Sequence, residues 1–157
     1  VALITLKNNG VGNRVIAIED HLARRTLASG FATQTLSSKD TLPLKQVDVV
    51  IVGSIQEALE FETVLSLVKP GGHIVFSEPY APARTLLPGI TLPADITMSS
   101  TSWPTNLDAK KIVTAMQIKR LDLTPLVSHV IPLDEAQEAY EAAAGPSSGV
   151  QKVLLKP

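Results

Sequence analysis

The segment that most restricts the fold runs from Val47 to Phe76. Val47-Asp48-Val49-Val50-Ile51-Val52 is a short, mostly apolar, β-branched run that stops at Gly53-Ser54. Such a run suits a strand covered on both faces of a parallel sheet. Residues 56–68 follow, with Leu59, Val64, Leu65 and Val68 spaced to give a helix one apolar stripe. Pro70-Gly71-Gly72 reads as a tight turn, and His73-Ile74-Val75-Phe76 as the next strand, ending at Ser77-Glu78-Pro79. Strand, helix and strand within about 30 residues make a βαβ unit, whose crossover is right-handed and whose strands pair in parallel. The chain is therefore expected to be α/β with a parallel sheet.

A strand of the same kind lies upstream, in Arg14-Val15-Ile16-Ala17-Ile18-Glu19-Asp20, and it stops at two acids. Ligands of open α/β sheets bind outside the carboxyl ends of the strands. The acids then have two readings: a solvated strand end, or a carboxylate placed to accept hydrogen bonds from a ribose diol. Around these strands, residues 1–7 read as the end of a helix capped by Asn8-Asn9-Gly10. His21 to Ser29 reads as a helix with Leu22, Leu27 and Ala28 inward, residues 31–36 as a strand and 37–46 as a loop. The proline-rich run from Tyr80 to Asp95 is a loop or lid, and Ile96 to Met98 a short strand. Asn106 is a good N-cap for a helix over 107–119 with Ile112, Val113 and Met116 inward. Residues 121–132 read as extended, Asp134 and Gln137 as a capping-box start to a helix over 135–144, and 150–155 as a last strand.

Composition closes off several function classes. The formal net charge is −1 and like charges form no block, which argues against nucleic acid or an anionic membrane as partner. No apolar run approaches the roughly 18 residues that a membrane-spanning helix needs. Cysteine is absent, so disulfides and thiolate metal sites are excluded and a reducing, cytoplasmic setting is expected. His21, His73 and His129 sit on separate elements without metal-ligand spacing and read as structural or surface residues. Gly53-Ser54 is not a nucleophile elbow. A length of 157 residues suits one domain, and a start at Val1 inside an element suggests a piece of a longer protein.

Taken in order, Arg14–Glu19, Val47–Ile51 and Leu67–Phe76 resemble blocks of the medium-chain dehydrogenase/reductases, the zinc-type alcohol and polyol dehydrogenases. The tail is the most specific part of the resemblance, in Leu121–His129, Ile131–Ala136, Ala139–Glu141 and Lys152–Pro157. The match is to the cofactor-binding half of that family. It implies a Rossmann-type doubly wound parallel sheet lacking its first strand and glycine-rich turn. Residues 1–157 would be a single partial NAD(P)-binding domain, and 150–157 the closing strand that returns to a catalytic domain absent from this chain.

The resemblance also assigns roles. Glu19 takes the position of the acid that binds the adenosine ribose, with Asp20 a second candidate; an acid there favours NAD over NADP by repelling a 2′-phosphate. Arg24 and Arg25 follow on the next helix and could serve a phosphate instead. Val52, Gly53 and Ser54 close the strand that passes the adenine-side ribose. Phe76, Ser77 and Glu78 end the strand whose backbone meets the nicotinamide amide, and Thr101 to Trp103 lie near that end. Lys152 aligns with a cation that can reach the pyrophosphate. Gly10 and Gly12 precede a strand rather than opening a helix and read as a connecting loop.

The implied activity is hydride transfer between NAD and a small alcohol or polyol. This chain supplies no catalytic residue, any zinc is left to the missing domain, and the chain alone is expected to be inactive. A second copy could pair along the edge strand Ile96–Ser102. Two other readings stand beside this one. "VKPGGHIVFSEP" also resembles the late strand of S-adenosylmethionine methyltransferases, although the blocks after Pro79 follow the dehydrogenase pattern. The chain could also be a non-catalytic domain that only packs or oligomerises.

Overall fold

The computed structural model describes residues 3, 6–7, 14–53, 58–77, 95–101, 103–144 and 150–157, with backbone alone for 58–60. In chain order the elements are β1 (Ile16–Ile18), α1 (Leu22–Ser29), β2 (Gln34–Leu36), β3 (Val47–Val52), α2 (Ala58–Leu67), β4 (Val68–Phe76), β5 (Thr97–Ser100), α3 (Asn106–Gln117), β6 (His129–Pro132), α4 (Ala136–Ala144) and β7 (Val153–Lys156). Short 3₁₀ turns cover Thr124–Leu126 and Leu133–Glu135. The chain divides into two compact units, Thr41–Thr105 on one hand and Val1–Asp40 with Asn106–Pro157 on the other.

Every strand pairing is parallel, as the βαβ reading requires. The ladders are β1-β2, β3-β4-β5 and β6-β7. In the doubly wound order 3-2-1-4-5-6, removing the first strand leaves the pair 3-2 and the run 4-5-6. Ladders β2-β1 and β3-β4-β5 have that composition among the described residues, so the fold is Rossmann-type α/β.

The unit Thr41–Thr105 holds the main core. Val52, Phe61, Leu65, Val68, Ile74 and Phe76 are buried together, with Val50, Val64, Ile96 and Met98 packed against them. The rings of Phe61 and Phe76 stack with centroids 6.2 Å apart. Alternation along β3 and β4 sends Val50, Val52, Ile74 and Phe76 toward α2, and this face supplies the hydrophobic drive.

The expected Pro70-Gly71-Gly72 turn is instead part of β4. Pairing begins at Val47↔Val68 and resumes at Val49↔His73, so five residues of β4 pass two of β3. Pro70 has no N–H to lose from the ladder, which suits it to the irregularity. Gly71 has φ +77°, and a Cβ on Gly72 would stand 2.5 Å from Val68 Cγ1 and 2.9 Å from the carbonyl oxygens of Asp48 and Lys69. An ion pair between Lys69 and Asp48 spans the same bulge.

Other expectations need correction. Leu22 is exposed, and Ala28 alone is buried on α1. Ile112, Val113 and Met116 on α3 are 41–52% exposed, and α3 buries no residue. An apolar stripe fixes which face of a helix seeks cover but not whether cover is at hand. Asn106 is the first residue of α3 rather than the residue before it. Residues 121–132 are extended only in part, since Pro125 sits in the first turn of a 3₁₀ segment where its fixed φ is compatible. Gln137 reaches forward to Glu141 Oε1 at 2.8 Å instead of back to a cap, and a 3₁₀ turn leads into α4. Residues 8–13 and 80–94 lie outside the described residues.

Candidate functional site

The site begins where β1 ends. Glu19 N donates to Leu36 O at 2.9 Å, so the β1-β2 ladder holds the backbone of the acid. The chain then turns sharply into α1. His21 lends no side-chain cap, and Glu19 Oε1 takes up its backbone N–H at 2.8 Å. A carboxylate beside the first turn of a helix is favoured by the exposed N–H groups there. Arg24, in the first turn of α1, then grips the same carboxylate with both ends of its fork, Nε to Oε2 at 3.1 Å and Nη2 to Oε1 at 3.2 Å. The Glu19 side chain is 29% exposed and that of Arg24 55% exposed.

The neighbouring groups are committed elsewhere. Arg25 Nη1 donates to the backbone oxygens of Glu19 at 2.7 Å and Asp20 at 3.0 Å, so it caps the strand end. Asp20 turns toward the loop after β2, where it accepts from Ser37 Oγ, Ser38 N and Ser38 Oγ, all at 2.7 Å. These hydrogen bonds, led by that from the Ser38 hydroxyl, hold the Asp20 carboxyl down at about 2. Ser37 N in turn donates to Asp40 Oδ2 at 2.7 Å. Sequence reasoning treated residues 37–46 only as loop and missed this cluster. The Ser37-x-x-Asp40 spacing, a local turn pattern of the capping-box kind, was the available signal.

A carboxylate offers about four acceptor positions. Glu19 and Asp20 each use three, but those of Asp20 all go to Ser37 and Ser38, whereas two of those of Glu19 go to an arginine that is more than half exposed. A ribose hydroxyl can donate into the remaining position on Glu19, and into more if Arg24 moves. The residues present therefore fit a ribose diol.

The second group of predicted residues lies at the carboxyl ends of β3, β4 and β5. Val52 and Phe76 point their side chains into the core and present only backbone at the tip. Val52 O accepts from Ser77 N at 2.9 Å and from Ser77 Oγ at 2.9 Å, and Phe76 O accepts from Thr101 N at 2.9 Å. Thr101 Oγ1 donates to Ser77 O at 3.0 Å, which ties the three strand ends together. A Cβ built on Gly53 would meet nothing within 4 Å among the described residues. Ser54, Glu78 and Ser102 lie outside the described residues.

Lys152 stands just before β7. Its carbonyl accepts from Ser128 N at 2.9 Å and from Ser128 Oγ at 3.2 Å, and the residue is exposed. His73 Nε2 meets Ser99 Oγ at 2.8 Å across β4 and β5, a cross-strand pair in keeping with its structural reading. Among the described residues no cluster of three metal-ligating side chains occurs, and no helix is long and apolar enough to cross a membrane.

No family model and no curated protein matches the chain. Solved structures do match in fold. Alcohol dehydrogenase TADH from Thermus sp. ATN1 aligns over 97% of this chain and 46% of its own, with TM-score 0.73 and 21% identity. The short chain alcohol dehydrogenase rspB of Escherichia coli CFT073, complexed with NADH, aligns over 99% of this chain and 48% of its own, with TM-score 0.73 and 14% identity. A Sinorhizobium meliloti 1021 protein assigned as a zinc-binding dehydrogenase, bound to NADP, aligns over 98% of this chain and 48% of its own, with TM-score 0.69 and 20% identity. The chain thus spans less than half the length of each and has the fold of one part of such dehydrogenases.

Proposed function

We propose that this chain is the nicotinamide-cofactor-binding part of an alcohol or polyol oxidoreductase, with the adenosine ribose of NAD held at Glu19. The observation that carries the reading is the Glu19 carboxylate. It stands at the carboxyl end of a parallel strand, fixed by the His21 N–H and Arg24, with acceptor capacity to spare. The fold shared with NADH- and NADP-bound dehydrogenases supports the cofactor class. On the resemblance alone, Val52, Gly53 and Ser77 are proposed as further cofactor contacts, and Lys152 as a cation for the diphosphate. Ser54, Phe76 and Glu78 belong to the same proposal.

The cofactor, when bound, supplies hydride chemistry. What this chain contributes is binding and orientation. The 157-residue sequence contains no G-x-G-x-x-G run, whose turn would give the diphosphate its backbone donors. The chain alone is therefore proposed to bind weakly and to oxidise no alcohol, with any zinc held by residues outside it. Residues 1–157 act as one partial domain in this proposal, in a cytoplasmic setting. A second copy is proposed to pair along β5, the end strand of its ladder, and light scattering reads that association directly.

Calorimetric titration with NAD and with S-adenosylmethionine tests the reading. NAD should bind with Kd above about 100 µM, weaker than a complete site gives, and more tightly than S-adenosylmethionine. Single-digit micromolar NAD binding would overturn the account of the glycine turn. Preference for S-adenosylmethionine would overturn the cofactor class.

A further inference from the structure

Lys7 and Phe31 meet just past the C-terminal end of α1, the end away from Glu19. The Lys7 ammonium donates to Gly30 O at 2.6 Å and stands 5.5 Å from the centroid of the Phe31 ring. Among the described residues no carboxylate pairs with it. Gly30 and Phe31 also form part of the wall of an open cavity of about 550 Å³, together with Thr26, Leu27, Pro125 and Gln151. Glu19, Asp20, Arg24 and Arg25 take no part in that wall. We propose that this cavity is a binding site separate from the one at Glu19. Its ligand is a small carboxylic acid with an apolar or aromatic body, the carboxylate paired with Lys7 and the body laid against Leu27, Phe31 and Pro125.

Size, surface and charge select that class. Ligand pockets span about 300–1,000 Å³ and are mostly apolar, with a few placed polar groups. Leu27 and Phe31 are half-buried and Pro125 is exposed, so an occupant takes apolar surface out of water. The hydroxyls of the wall have no proton to offer. Thr26 Oγ1 donates to Leu22 O at 2.9 Å, and Ser29 Oγ to Thr26 O at 2.7 Å. The donors left are Lys7 and Gln151. An ammonium carries three N–H groups, and one goes to Gly30 O. Gln151 Nε2 is buried without an acceptor, which is costly, and a small turn of the amide lets an occupant of the cavity supply one. No acid lines the cavity, so an anion meets no carboxylate there. The carbonyl end of α1 would by itself repel an anion, and Lys7, seated on Gly30 O, reverses the sign at that point.

Amide-detected titrations with phenylacetate, phenylacetamide and acetate at neutral pH test the site. Phenylacetate should shift Thr26 to Phe31 and Gln151 with a Kd of about 1–10 mM, as suits an open cavity and so small a ligand. Phenylacetamide has the same shape without the charge and should bind about three- to fivefold more weakly, the range that an exposed ion pair supplies. Acetate has the charge without the body and should leave these amides unmoved up to about 50 mM. Lys7→Gln should bring phenylacetate to the level of phenylacetamide and leave phenylacetamide within about twofold. Ala23→Trp, at another wall position, should fill the cavity and abolish binding of both. Lys7 and Ala23 are exposed, so these variants should fold as the wild type does. Equal affinity for phenylacetate and phenylacetamide, or phenylacetate binding unmoved by Lys7→Gln, would overturn the pairing with Lys7. Shifts centred on Glu19 to Leu22, or binding that survives Ala23→Trp, would overturn the cavity as the site.

Discussion

Gly72→Ala is the substitution whose effect the structure fixes most closely. In the bulge where β4 passes β3, an added Cβ would lie 2.5 Å from Val68 Cγ1 and 2.9 Å from two backbone oxygens, Asp48 O and Lys69 O. The Val68 side chain is part of the buried core and cannot swing aside freely. The two carbonyls belong to paired strands, so relief requires the ladder itself to shift. Overpacking of this kind costs about 1–3 kcal/mol, here taken as about 2 kcal/mol. With a urea m-value of about 1.5 kcal/mol/M, the unfolding midpoint should fall by roughly 1 M. Gly71 is the control. Its φ is +77° and a Cβ there meets nothing within 4 Å, so only backbone strain opposes substitution. Gly71→Asn should cost under about 1 kcal/mol, because Asn tolerates the left-handed region. Urea unfolding followed by far-UV circular dichroism measures both variants. A Gly72→Ala midpoint equal to wild type, or a larger loss at Gly71→Asn, would refute the assignment of these glycines to a bulge.

Other outcomes follow from the same coordinates. Phe61→Ala empties a site that is 1% exposed beside the Phe76 ring and should cost about 3–5 kcal/mol, enough to unfold Thr41–Thr105 at modest urea. Asp20 has its carboxyl lowered from 3.8 to about 2, so the folded state gives up the proton more readily than the unfolded chain. Its contribution is complete above about pH 4 and is lost as pH falls through 3.8 toward 2; solvent screening of this exposed carboxylate limits it to about 1 kcal/mol. Acid titration of Asp20→Asn should show a shallower loss of stability over that window than the wild type. Arg25→Ala removes two hydrogen bonds to the end of β1 and should cost about 1–2 kcal/mol in a urea melt.

How much of this was legible in the sequence depended on whether a feature was local or reciprocal. Val47–Val52 was readable because a β-branched run bounded by glycine has few alternatives, and its parallel pairing followed from the helix between strands. Pro70-Gly71-Gly72 was misread because a turn and a bulge call for the same residues; only the partner strand, with Asp48 O under Gly72, separates them. The stripe on α3 was visible as Ile112, Val113 and Met116, but burial depends on a second surface that the stripe does not encode. Phe61 went unnamed although it is the most buried of the described side chains of its helix, since a stripe chosen from Leu59, Val64, Leu65 and Val68 left the aromatic outside the pattern.

At the candidate site, the sequence put two acids and two arginines within seven residues; the resemblance placed Glu19 ahead of Asp20 but did not separate the arginines. Tertiary contacts rank them. Asp20 is drawn off by Ser37 and Ser38, which are 17 and 18 residues away, and Arg25 by two carbonyls exposed at the turn. Glu19 and Arg24 are left facing each other at the strand tip. None of those preferences shows in residue type, because the choice is made by the loop after β2, which reaches β1 only through the ladder.

The most direct test of the central claim is an amide-detected titration of NAD into the wild-type chain and into Glu19→Ala. The account predicts wild-type shifts centred on Glu19 to Leu22, with a millimolar-range Kd that weakens by at least about tenfold when the carboxylate is removed. Shifts that centre elsewhere, or an affinity unchanged in Glu19→Ala, would contradict the claim that this acid holds the adenosine ribose.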